Sequence, residues 1–176
     1  MTNVLRRAIV LFVPPPVADR IDAIRRRWDP IMTGRIGAHI TLVHDVVDHE
    51  RARDLVAAAA RSAPFTVRLT RADRWGRSSN GIYLHVDDPT GSVAALQAQL
   101  AELEQPAWSR VAFRAHATLI HGRTVTPEDA EAAWAALEGF RADWDVDIGA
   151  IDTIELSEPR WRSVERIELQ AAAVPD

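Results

Sequence analysis

Apolar positions along the chain switch between two spacings. Ala8 to Val13 is a compact apolar run that predicts a buried strand, and Pro14, Pro15 and Pro16 end it. Val17, Ile21, Ile24 and Trp28 then recur at helical spacing. Arg25, Arg26 and Arg27 fall on that helix, where a solvated face with one packed flank is expected. Gly34 to Gly37 read as a loop and Ala38 to Val43 as the next strand. An alanine-rich helix is expected over residues 50–61, and a strand over Phe65 to Leu69 with Phe65, Val67 and Leu69 on one face.

GRSSNG, from Gly76 to Gly81, has the composition of a turn. Ile82 to Val86 alternates: Ile82, Leu84 and Val86 face one way, Tyr83 and His85 the other. Ser92 is placed to cap a helix carrying Val93, Leu96, Leu100 and Leu103. A strand is expected over Arg110 to Ile120. Thr126, Pro127 and Asp129 then form a helix start, Trp134 and Leu137 lie on its buried face, and Gly139 stops it. Val146 to Leu156 and Val164 to Ala171 predict a closing pair of strands. Strands and helices mix without regular β–α–β alternation, so the expected class is α+β with antiparallel sheets. Residues 1–176 are the right length for one domain.

Composition removes several chemistries. The 21 basic residues are all arginine and stand against 25 acidic ones, for a net charge of −4. Without cysteine there is no thiolate nucleophile, disulfide or Cys-type zinc site. Without lysine there is no Walker-A loop, Schiff base or adenylyl-lysine intermediate. The lysine-free, alanine- and arginine-rich composition fits a GC-rich coding sequence. The negative balance argues against coating nucleic acid by bulk electrostatics. No apolar run approaches the ~18 residues of a membrane span, so a cytoplasmic monomer is expected.

One repeat rises above this background. HITLVH occupies His39 to His44, and HATLIH occupies His116 to His121, 77 residues on. Only 6 histidines occur in the whole chain, so two H-x-T-L matches in equivalent strands are not a chance expectation. On a strand, residues two apart share a face. His39 and Thr41 therefore point together, as do His116 and Thr118, while Ile40, Leu42, Ala117 and Leu119 point into packing. Two such strands side by side present two imidazoles and two hydroxyls. One neutral histidine can take a proton, one protonated histidine can give one, and the hydroxyls can bind phosphate oxygens. The odd offset of His44 and His121 turns them to the opposite face of a regular strand, as structural or strand-end residues. Four histidines would converge on a metal only if the strands ended early, so a site without metal or cofactor is expected.

The two H-x-T-L motifs resemble those of the 2H phosphoesterase superfamily, particularly its bacterial 2′-5′ RNA ligase-like and cyclic phosphodiesterase branch. The resemblance spans nearly the whole chain. It implies a bilobal α+β fold with a pseudo-twofold axis, two mainly antiparallel sheets flanking a central cleft, and helices outside. It also implies metal- and ATP-independent chemistry on 2′,3′-cyclic or 2′-5′ phosphodiesters at an RNA end or in a small nucleotide. His39 would be the acid, His116 the base, and Thr41 and Thr118 the phosphate ligands. The same resemblance leaves room for ATP-independent ligation, for an ADP-ribose cyclic phosphate substrate, and for a non-catalytic RNA or nucleotide binder. The chain departs from the family in having Ala38 and Ala115 where proline often precedes the histidine. It carries Arg123 two residues beyond His121, the place where the family often has arginine.

Further contacts are expected around this centre. Arg114 shares the face of His116 and faces either a phosphate or an acidic neighbour. Arg35 and Arg77 lie in loops from which they could steer phosphate, or be ordinary surface arginines. Tyr83 and His85 are candidates to line the cleft. Trp75, beside the GRSSNG turn, is a candidate for stacking on a base or a packed rim residue.

Overall fold

The computed structural model describes residues 5–76, 79–110 and 112–170. Eight strands form one antiparallel sheet: β1 (Arg7–Phe12), β2 (His39–Val43), β3 (Phe65–Arg74), β4 (Ile82–Asp87), β5 (His116–Ile120), β6 (Arg141–Ile148), β7 (Ala150–Ser157) and β8 (Arg160–Glu168). Their order is β6-β3-β4-β5-β2-β1-β7-β8. The α+β class and antiparallel pairing are as expected. The two expected sheets are instead two four-stranded halves of one sheet. They meet at the two motif strands, where Ile40 opposite Ala117 is the registered pair.

The helices are α1 (Val17–Trp28), α2 (Pro30–Thr33), α3 (His49–Ala59), α4 (Ser92–Leu100), α5 (Pro106–Ser109) and α6 (Pro127–Leu137). Ile9, Leu11, Ile40, Leu42, Leu84, Ala117 and Leu119 face a single core that takes Ile21 from α1, Val56 from α3, Leu96 and Leu100 from α4, and Ala133 from α6. Ala8, Val10 and Ile154 face the other side, with Met32, Ile36, Phe12 and Trp161. Burial of these alternate positions fixes the strand register, because a slip of one residue would expose the whole set.

Several boundaries move for local reasons. β3 runs on to Arg74, because its register shifts after Leu69 and hides the continuing alternation. The expected strand over Arg110 to Ile120 shortens to His116–Ile120, since its pairing with β4 reaches only the His85–His116 pair. The expected strand over Val146 to Leu156 is two strands divided at Gly149: β6 pairs with β3, and β7 with β8. Ser92 is not the cap of α4. Asp88 accepts the amides of Ser92, Val93 and Ala94, while Gly91 takes φ +71°. Thr126 does cap α6, accepting the Asp129 amide at 3.1 Å.

Arg25 is the largest revision. Its side chain is fully buried, where a solvated face with one packed flank was expected of the three arginines. It spans from α1 to β5, donating from Nη2 to the Thr118 carbonyl at 2.6 Å and from Nη1 to the Ile36 carbonyl at 3.1 Å.

Candidate active site

The seam between the halves carries both motifs. With Ile40 opposite Ala117 in antiparallel register, His39 comes opposite Thr118 and Thr41 opposite His116. All four point away from the helical core and are partly exposed. Each half thus sets its histidine against the other half's threonine.

The imidazoles are held alike. His39 Nδ1–H donates to the Gly37 carbonyl at 2.8 Å, and His116 Nδ1–H donates to the Arg114 carbonyl at 2.8 Å. A carbonyl only accepts, so these bonds fix the tautomer and leave each Nε2 as the exchangeable position. Burial above all, with the charges of Arg25, His116 and His44, pushes His39 down to about 4 against the raising effect of its bond to Gly37. His116 is also lowered by burial and by the charges of His44 and Arg114, with its carbonyl bond opposing. Burial lowers His121 in the same direction.

Protonation of His39 is thereby coupled to stability. The unfolded chain protonates His39 near the ordinary 6.5, the folded one only near 4. Between those values the unfolded state binds more protons, so stability is lost as pH falls through that window. The melting temperature is expected to drop from pH 7 to pH 4.5, and less steeply in His39→Gln. Equal slopes for the two proteins would contradict the shift.

The flanks of the two histidines differ. Beside His39, β1 places Phe12 directly across, with ring centroids 6.3 Å apart. Beside His116, β4 places His85 directly across, and Tyr83 across from Thr118. Trp75, 46 % exposed, meets His116 edge-on at 4.7 Å and lies on Tyr83 at 4.4 Å. Arg114 donates to the Tyr83 hydroxyl at 2.9 Å and sits 5.6 Å over the Trp75 ring, so its partner is a phenol rather than a carboxylate. Tyr83 has no exposed surface and backs the site instead of lining it. His85 Nε2 lies 2.9 Å from Asp73 Oδ2, a pairing the sequence did not signal.

The ends of the seam echo each other. At the end of β2, the His44 amide donates to Glu104 Oε1 at 2.7 Å; at the end of β5, the His121 amide donates to Asp29 Oδ2 at 2.9 Å. The chain bends at His44 and Asp45 takes φ +43°, so strand parity does not carry through to His44. Its charge bears on both motif histidines. At the other end, the charges of Arg35 and Arg123 both lower His121. Arg77 lies outside the described residues. Among the described residues, no group of three or more histidine, aspartate or glutamate side chains has the geometry to hold a metal ion. No described helix is long and apolar enough to cross a membrane.

An antiparallel sheet that brings two H-x-T-L strands together about a pseudo-twofold defines a class of protein. The chain belongs to the 2′-5′ RNA ligase superfamily, whose family model matches residues 13–159. Its fold is similar to that of Escherichia coli LigT complexed with 3′-AMP, with a TM-score of 0.63 and 20% identity over 94% of this chain and 98% of that one. A crystal structure of a phosphoesterase matches with a TM-score of 0.64 and 21% identity over the same shares. The protein TT0787 of Thermus thermophilus matches with a TM-score of 0.64 and 16% identity, again over 94% and 98%. No curated protein matches the chain by sequence.

Proposed function

We propose that the protein is a metal-independent phosphodiesterase acting on 2′,3′-cyclic phosphate ends of RNA or nucleotides. His39 and His116 form the acid–base pair, and Thr41 and Thr118 bind the phosphate. The observation that carries this reading is the matched pair of Nδ1–H bonds, which commits one nitrogen of each ring to the backbone and leaves the other for proton transfer. In the reaction, water attacks phosphorus as the neutral imidazole removes its proton. The bond from phosphorus to one ribose oxygen breaks, and the protonated imidazole supplies that oxygen with a proton. The product is a ribose phosphomonoester beside a free hydroxyl. The threonine hydroxyls donate to the non-bridging oxygens as charge builds on them. With a 5′-hydroxyl in place of water, the same step forms a bond from phosphorus to the 5′-oxygen as the bond to the ribose 3′-oxygen breaks, and would join RNA ends through a 2′-5′ linkage without ATP.

The crystallisation of LigT with 3′-AMP and with phosphate supports a nucleotide substrate. We place the protein in the cytoplasm as a monomer of one bilobal domain. The test is a panel of four 2′,3′-cyclic nucleotides and RNA ends, with products identified and a strong chelator present. Turnover to a single monoester isomer is expected. Absence of product from every member, or loss on chelation with rescue by zinc, would overturn the reading.

Trp75 is the proposed base contact, because it is an exposed aromatic residue beside His116. Base–aromatic stacking is worth ~1–3 kcal/mol, so Trp75→Ala should raise KM for a cyclic nucleotide by about 10-fold, with a smaller change in kcat. Trp75→Phe should restore most of it. An unaltered KM with every base would remove Trp75 from the site. Arg35 and Arg123, whose charges both bear on His121, are proposed to steer phosphate inward, while Arg114 holds the Trp75 shelf in place.

A further inference from the structure

The pseudo-twofold relation pairs α1 with α4, since α1 packs on β5 and α4 packs on β2. Asp29 follows α1 and accepts the His121 amide; Glu104 follows α4 and accepts the His44 amide. Four residues before each carboxylate stand Arg25 and Leu100, both fully buried. At this matched position one half has a guanidinium and the other an alkyl group.

The guanidinium bridges two backbone segments. Arg25 donates from Nε and Nη2 to the Thr118 carbonyl at 3.2 and 2.6 Å, and from Nη1 to the Ile36 carbonyl at 3.1 Å. Ile36 immediately precedes Gly37, whose carbonyl holds the His39 ring. One side chain therefore ties the segment that supports His39 to the strand that carries Thr118. Its nearest carboxylate, Asp22, stands 3.6 Å away and has an oxygen without a hydrogen-bond partner, so the pairing is loose. A guanidinium stays charged even when buried.

We propose that Arg25 is a positioning residue of this site, which clamps the backbone beneath His39 and Thr118. The inference rests on the phosphodiesterase reading. The titratable or charged groups that bear on His39 are Arg25 from α1, His116 from β5 and His44 beyond β2; β1 offers only the Phe12 ring. On His116 the fixed charge is that of Arg114.

The test compares Arg25→Leu, which copies the other half, with Arg25→Lys, which keeps the charge but cannot span both carbonyls. Imidazole titration by NMR in the free proteins should move His39 up by about 0.5–1 pH unit in Arg25→Leu and leave His116 in place. Arg25→Lys should keep the His39 titration while lowering kcat about 10-fold or more, with KM altered less. Wild-type kcat in folded Arg25→Lys, or a loss of kcat accompanied by a moved His39 titration, overturns the proposal. If Arg25→Leu does not fold, Arg25→Lys still decides it through the kcat and an unmoved His39 titration together. A wild-type protein that turns over no cyclic phosphate defeats the phosphodiesterase reading, and solvent exchange of the His39 Nδ1–H, expected to be quicker in Arg25→Lys than in the wild type, then tests the clamp alone.

Discussion

Replacing His39 or His116 by alanine is expected to lower turnover of a 2′,3′-cyclic nucleotide by about 10²–10⁴-fold, the usual contribution of a positioned acid or base. The fold should survive both changes. Each ring is partly exposed and bonds a carbonyl two residues back in its own strand entry, while the neighbouring Ile40, Leu42, Ala117 and Leu119 carry the packing. A normal melting curve with lost turnover is therefore the expected pair of results. The double variant should cost little more than either single one, because an acid without its base already fails to complete the cycle. Full turnover in both single variants, on every cyclic phosphate tried, would sink the catalytic assignment.

The second large effect falls on stability. Asp29 is completely buried and accepts three donors: the Met32 amide at 3.0 Å, the His121 amide at 2.9 Å and the Thr124 hydroxyl at 2.7 Å. Asp29→Ala strands these donors, and an unsatisfied buried donor costs about 1–3 kcal/mol. A total loss of about 2–4 kcal/mol is expected, which for a chain of this size lowers the melting temperature by roughly 5–15 °C. Asp29→Asn keeps one acceptor oxygen and should lose less. A melting temperature within about 2 °C of the wild type for Asp29→Ala would show that this carboxylate does not hold the end of β5, a threshold set by about 2–4 °C per kcal/mol.

The two motif strands were legible because their information is local. Strand parity alone separates His39 and Thr41 from Ile40 and Leu42, and the second copy at His116 repeats the pattern within the chain. Residues that act across the fold left no such mark. Arg25 sits in a run of three arginines, and helical spacing does not say which of them turns inward. Asp29 and Glu104 each cap a strand end remote in sequence, so no local pattern connects them to His121 or His44. Tyr83 lies on the expected face, but its burial depends on Trp75 and Arg114 closing over it. The same contrast holds for β3, where a register shift after Leu69 broke an alternation that the structure continues to Arg74.

The sheet order also bears on how the molecule is born. The half with His116 consists of β3, β4, β5 and β6, a continuous stretch of chain. The half with His39 joins β1 and β2 to β7 and β8, so Arg7 pairs with Glu155 near the far end. During synthesis the first half can close on its own contacts once it has left the ribosome. The second must wait for the last strands, with the loop-closure cost that such distant pairing carries. His39 is thus made before every strand of the other half, yet the sheet around it is completed only after them.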